Sequence, residues 1–167
     1  MIGTPEPPRR LQRGDHRSEF TSGATELDEW FHRYSWQNQQ AGNAVTYVSM
    51  LNGRPLGYYA IAAASVDREQ TPHDFSRGRP QTIPCVLLAR LAVDVHAQGQ
   101  QLGASLFRDA LVRSASVSQQ LGAACLLIHC RDDTARAFYL HLVDAFASPV
   151  DPMHLVIPLA QVAQALV

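Results

Sequence analysis

Residues 86–111 read VLLARLAVDVHAQGQQLGASLFRDAL. The run Val86–Val95 is mostly apolar and stops at a short polar loop, His96–Gln101. Beyond the loop, Leu102, Leu106, Phe107, Ala110 and Leu111 recur at helical spacing. The pattern predicts a strand, a turn rich in small and polar residues, and an amphipathic helix. That order leaves backbone N–H groups free at the start of a helix, facing whatever lies beyond the strand. Such a place attracts anions, phosphate above all.

Downstream, the helix is expected to reach about Gln120 and end at Gly122. Cys125–Cys130 is an apolar strand, and a helical crossover should set it parallel to Val86–Val95. Asp132 or Asp133 caps a further helix, Thr134 to about His141, which carries Ala135, Phe138 and Tyr139. A short strand near Phe146, a strand over Met153–Ile157 and a small helix over Leu159–Leu166 complete the chain.

Upstream, residues 1–18 are rich in Pro and Arg and read as a loose lead-in with at most one short strand. Helix one follows, with Ser22 or Thr25 as its cap. Leu27, Trp30, Phe31 and Tyr34 form its apolar face, and Gly42-Asn43 is its stop. Val45–Met50 and Leu56–Val66 flank Asn52-Gly53, a strong hairpin signal. Asp67–Thr82 reads as a long exposed loop with room for a short helix. The fold class is therefore α/β with a mixed central sheet. A Rossmann fold would need a GxGxxG turn, and a Walker loop would need a lysine, which this chain lacks.

The chain has 167 residues, 46% hydrophobic and 17% charged, which fits one ordinary globular domain spanning 1–167. It has no apolar run of the ~20 residues that cross a bilayer and no apolar secretory segment at its start, so the expected location is the cytoplasm. Cys85, Cys125 and Cys130 form no CxxC pair and read as small buried hydrophobes. The histidines form no HxxxH or HExxH pattern, so no metal is expected. Net charge is −1, which excludes a chain that binds nucleic acid by charge alone. Every basic residue is arginine, however, with clusters at 9, 10, 13 and 17 and at 77, 79 and 90. Its planar guanidinium suits phosphate, and a basic face on a neutral protein is compatible with these numbers.

The segment Leu91-Ala92-Val93-Asp94, followed by Gln98-Gly99-Gln100-Gln101-Leu102-Gly103, resembles the phosphate loop of the GNAT N-acetyltransferase superfamily, [Q/R]-x-x-G-x-[G/A] after a strand. The fourth position, usually glycine, is Gln101. Gln101 must either hold an ordinary φ or point its amide out of the loop, so cofactor binding is expected to persist in weakened form. A narrower resemblance rests on five segments in order: Phe20-x-Ser-Gly-x-x-x-Leu-Asp-x-Trp-Phe, Gly57-Tyr58-Tyr59, Leu88–Asp94, Ala137-Phe138-Tyr139 and Ser148-Pro149-x-Asp151-Pro152. Together they look like the acetyltransferase toxins of type II toxin–antitoxin modules. The stretch after Tyr139 is about two residues longer than that branch's usual pattern.

The resemblance implies a GNAT fold: an N-terminal helix, a β-hairpin and a splayed parallel strand pair flanked by helices. It implies an enzyme that transfers acetyl from acetyl-CoA to the α-amine of aminoacyl-tRNA, blocking translation, with glycyl-tRNA as the first to test. The implied partners are a ribbon-helix-helix antitoxin and a second copy of the chain in a homodimer. Leu91, Ala92 and Val93 would meet pantetheine and thioester. Gln98, Gly99, Gln100, Gln101, Leu102, Gly103 and Ala104 would hold the pyrophosphate, and Phe138 would line the cofactor site.

Tyr139 is the candidate general acid. A phenol has a pKa near that of a thiol, so proton donation to the departing thiolate is nearly balanced. Spacing alone also fits an aromatic on the buried face of a short helix. No Asp or Glu stands out as a base, and an α-amine with a pKa of about 8 is already partly neutral at cellular pH. Arg90, inside an apolar strand, must pair with a carboxylate or face a groove, where it would meet the tRNA acceptor end. Arg77, Arg79 and Arg33 could extend that surface or be solvated. The competing functions are acetylation of a small-molecule amine or protein N-terminus, and a degenerate acyl-CoA-binding module without catalysis.

Overall fold

A computed structural model describes residues 3–165. Seven strands pair in the order β1-β2-β3-β4-β5-β7-β6. The strands are β1 Arg9–Arg10, β2 Val45–Leu51, β3 Arg54–Asp67, β4 Thr82–Val93, β5 Cys125–His129, β6 Phe146–Ala147 and β7 His154–Pro158. The helices are α1 Thr25–Arg33, α2 Ser35–Gln40, α3 His73–Ser76, α4 Leu102–Gln120, α5 Asp133–Leu142 and α6 Leu159–Ala165. The chain forms two compact units. One runs to Ala62 and includes Ala89–Ala110; the other holds Ala63–Leu88 and the chain from Leu111 on. No described helix is long and apolar enough to cross a membrane.

In the first unit the hairpin turns as expected. Asn52 and Gly53 both take positive φ, +52° and +76°, as a primed turn requires. Three aromatic rings surround Tyr58, with ring centroids 4.4 Å away for Phe31, 5.6 Å for Phe20 and 6.1 Å for Trp30. The Tyr58 hydroxyl donates to Leu27 O at 2.7 Å, so the buried phenol is satisfied.

Three expectations fail here. The lead-in is not loose over residues 6–11. Glu6 N–H donates to Met50 O, Ser49 Oγ donates to Glu6 O, and Leu11 N–H donates to Thr46 O, while β1 pairs antiparallel with β2. Leu11 fills the core at 2% exposure. The β2 edge needs partners for its backbone groups, and the lead-in supplies them. Helix one is also not continuous. It breaks at Tyr34, which lies exposed instead of on the apolar face. The Phe31 carbonyl accepts from Ser35 Oγ at 2.6 Å and from Arg17 Nη1 at 3.4 Å, and this side-chain competition reroutes the helical ladder. Neither Ser22 nor Thr25 caps α1; the Ser22 N–H and hydroxyl donate instead to Asp28.

In the second unit β4 and β5 are parallel, from Cys85↔Cys125 to Leu88↔Ile128, as the crossover predicts. β5 then pairs antiparallel with β7. Val66, Ile83, Cys85, Cys125, Leu127 and Val156 form a common core. All three cysteines are buried and free. Asp132 caps α5 by accepting from Ala135 N–H at 2.8 Å. The segment after β3 carries a 3-10 turn, Arg68–Gln70, and α3. The final helix is described to Ala165, and Leu166 lies outside the described residues.

Candidate active site

The loop between β4 and α4 is pinned at its base by Asp94. This carboxylate has 0% exposure. Its Oδ2 accepts from Thr21 N–H at 3.1 Å, and its Oδ1 accepts from His96 N–H at 2.9 Å and lies 2.7 Å from His96 Nδ1. Arg54 Nη2 stands 3.7 Å away. Burial alone would raise the carboxyl, but the His96 and Thr21 N–H groups, the His96 ring and Arg54 outweigh it and hold the group below the ordinary carboxylate range. In sequence it stands only as the last residue of the Leu91–Asp94 motif. Nothing local shows that Thr21 returns to it.

Gln98 is a second clamp. Its Nε2 donates to Ser22 O at 2.8 Å and to Val93 O at 2.9 Å. The side chain predicted to help hold pyrophosphate thus ties the loop to the β4 end and to the segment before α1. Gly99, Gln100 and Gln101 are exposed, Gly103 and Ala104 half-buried, and Leu102 buried. Gly99 takes φ +77° and Gln101 φ +64°. Of the two courses expected at Gln101 the ordinary φ is not taken: the backbone keeps the left-handed geometry a glycine would adopt, and the side chain is exposed, in keeping with an amide turned out of the loop. Ser105 N–H makes the first bond of α4, to Gln101 O at 3.1 Å. Upstream of it the N–H groups of Leu102, Gly103 and Ala104 form the open end of a helix. That end is built to face an anion.

The direction of α4 is set from beneath by Gly57 on β3. A Cβ there would lie 2.7 Å from Leu106 Cδ1 and 3.3 Å from Leu102 Cδ2 and Ala92 O. Sequence reading took Gly57 only as part of a motif; its physical use is this close approach. On β4, Ala92 is buried, with Leu91 and Val93 half-buried. A cavity of about 400 Å³ opens beside Gln100–Leu102, walled by Pro5, Glu6, Pro8 and Ser49.

In the second unit Tyr139 is 7% exposed on α5, with Phe138 edge-on to its ring at 5.1 Å. Burial, and then Cys130 nearby, push its phenol above the ordinary range, so it keeps its proton at neutral pH. The same burial makes it a weaker acid than a free phenol and takes it away from the near-match with a thiol, so what the site supplies is a phenol that is protonated when the thiolate departs.

The predicted arginines divide. Arg90 places its guanidinium 4.8 Å from the centroid of the Trp30 ring. Its Nε is buried without a hydrogen-bond partner among the described residues, and no carboxylate pairs with it there. Arg33 is exposed on α1 and lies 3.5 Å from Glu29. In the other unit Arg77 is exposed beside Asp74 at 3.4 Å. Arg79 covers the Phe75 ring at 4.3 Å and donates to Phe75 O at 2.8 Å, which commits it to structure.

The mixed seven-stranded sheet, with a strand, a loop and a helix start in series, matches the fold of GNAT-type toxin acetyltransferases. No protein-family model matches the chain. It is 38% identical over 160 residues to a tRNA-acetylating toxin of Mycobacterium tuberculosis, covering 96% of this chain and 95% of that one. AtaT complexed with acetyl-methionyl-tRNAfMet superimposes with a TM-score of 0.87 at 22% identity over 96% of this chain and 98% of that one. A mutant AtaT toxin bound to the C-terminus of the antitoxin AtaR and acetyl-CoA gives a TM-score of 0.81 at 21% identity, covering 95% and 96%. The chain belongs to the tRNA-acetylating toxins of the GNAT acetyltransferases.

Proposed function

We propose that the protein transfers the acetyl group of acetyl-CoA to the α-amine of an aminoacyl-tRNA and thereby stops translation. One observation carries the reading: the likeness to a tRNA-acetylating toxin spans 96% of the chain. In this reading residues 1–167 act as one catalytic domain in the cytoplasm, an antitoxin of the ribbon-helix-helix type restrains it, and the active form is a homodimer.

The open start of α4, with Gln98–Ala104, takes the pyrophosphate. Its N–H groups are fixed before the ligand arrives, because Asp94 and Gln98 hold the loop from below. Leu91–Val93 offer backbone groups to pantetheine and to the thioester carbonyl, where developing negative charge is best met by fixed donors. Phe138 packs along the cofactor. Tyr139 gives its proton to the sulfur as the C–S bond breaks. Arg90 and Arg33 meet tRNA phosphates in the first unit, and Arg77 adds an exposed cation in the second. Arg79 supports the segment that carries Arg77.

Tyr139→Phe tests the acid role. The variant is expected to fold and to bind acetyl-CoA in calorimetry while losing ~10²-fold or more in turnover on charged tRNA. Near-normal turnover would remove Tyr139 from the mechanism. Acetyl-CoA binding without turnover by the unmodified protein on any charged tRNA would favour a binding module instead.

A further inference from the structure

Acylation of an amine leaves an extra proton on the attacking nitrogen, and no group described so far removes it. One cluster in the second unit can. His129 ends β5 and is the first residue of that strand beyond the ladder with β4, which reaches Leu88↔Ile128. Its register partner on β7 is His154. The two imidazoles stack, centroids 3.9 Å apart and planes 23° apart. His154 Nε2 lies 3.4 Å from Asp151 Oδ2. Asp151 is itself fixed, since its Oδ1 accepts from Met153 N–H at 2.9 Å. His129 is solvent-exposed. The next residue, Cys130, acts electrostatically on Tyr139.

We infer that His129 is the proton acceptor for the attacking amine, with His154 and Asp151 as its positioning residues. The inference rests on the aminoacyl-tRNA acetyltransferase reading. In the step, the amine lone pair forms the N–C bond at the thioester carbonyl and the C–S bond breaks. The ammonium proton passes to a ring nitrogen of His129, and the thiolate takes the Tyr139 proton. Solvent then removes one proton from His129 and returns one to Tyr139, so amine and thioester become amide and thiol.

Two imidazolium rings in contact repel, so the stacked His154 ring disfavours a proton on His129. Burial first, then His154, lowers the affinity of His129 for a proton against the pull of Asp151, which keeps His129 a neutral base. Among the described residues, His154 and Asp151 are the charges acting on His129. The β4 residues paired with β5, Cys85–Leu88, carry no charge, and α6, which also packs on β5, has no titratable side chain.

The test is steady-state acetylation of charged tRNA by the full chain between pH 5.5 and 9, for the unmodified protein, His129→Gln, His129→Gly and His154→Phe. Acetyl-CoA binding by calorimetry and a melting curve check each fold. His129→Gln should lower kcat about 10²-fold at neutral pH with KM for acetyl-CoA unchanged. Added imidazole should restore part of the turnover of His129→Gly. His154→Phe keeps an aromatic ring in the stack and removes the repelling charge, so the acid limb of its kcat profile should move to higher pH. Unchanged kcat in His129→Gln overturns the proposal, as does a rise confined to KM for tRNA, which would make the pair a stacking platform. Where His129→Gln does not fold, an unmoved acid limb in folded His154→Phe overturns it. An unmodified protein inactive on every charged tRNA would instead overturn the parent reading.

Discussion

Leu106 of α4 occupies the space that a side chain at Gly57 of β3 would fill: a Cβ at 57 would lie 2.7 Å from Leu106 Cδ1. Leu106 is fully buried, so its methyl cannot swing into solvent. The helix with the open N-terminal end therefore owes its height above the sheet to a missing side chain.

Gly57→Ala should lift the first turn of α4. The expected cost is about 1–3 kcal/mol, typical of overpacking, read from denaturant unfolding. KM for acetyl-CoA should rise at the same time. A stable variant with unchanged KM would show that the loop does not depend on this approach.

Gln101 at φ +64° sits where an L side chain costs about 1–2 kcal/mol. Gln101→Gly should recover about 1 kcal/mol of that strain, less the entropy glycine gains in the unfolded chain. The melting temperature should rise by roughly 2–4 °C per kcal/mol recovered. Acetyl-CoA should bind as well or better, because the backbone geometry is already the one glycine would adopt. Loss of binding would mean that the Gln101 amide itself contacts the cofactor.

Asp94 makes a pH prediction. Its folded pKa is depressed, so its contribution is complete above the unfolded value of about 3.9 and is lost as pH falls through the lower folded value. Asp94→Asn should lower stability by about 1–3 kcal/mol at pH 7, since an amide cannot accept from both Thr21 and His96. The difference from the unmodified protein should shrink below pH 4. Urea melts at pH 7 and pH 3 measure it, and an equal difference at both would place the effect in packing instead of charge.

Arg90 and Arg33 make a salt prediction. Activity on charged tRNA at saturating acetyl-CoA should fall steeply with added salt, and Arg90→Gln should flatten the log–log slope by about 1 for a lost phosphate contact. A slope identical in the variant would leave Arg90 as a structural partner of Trp30 only.

Elements whose cause is local were legible in the chain. The Asn52-Gly53 turn, the Asp132 cap and the loop before α4 each depend on residues a few positions apart, and the parallel pairing of β4 with β5 follows from the helix that crosses over between them. The same holds for the loop residues of the site and for Tyr139 on its helix. The break at Tyr34 was not legible, because helical periodicity runs through it and only Arg17 and Ser35, together on the Phe31 carbonyl, interrupt the ladder.

What tertiary structure alone decided are contacts between residues far apart in sequence. Asp94 meets the N–H of Thr21, 73 positions away. Arg90 lies over an indole from a helix 60 positions earlier in the chain. His129 and His154, unremarkable in their own strands, stack because the β5–β7 register sets them opposite each other. The sequence by itself determined most of the backbone segments and that one helix would start from a short polar loop after a strand, since hydrogen bonding within a turn is a short-range property. Which side chains hold that start in place, and which imidazole stands at the end of β5, follow from strand register and packing, which exist only once the chain has closed on itself.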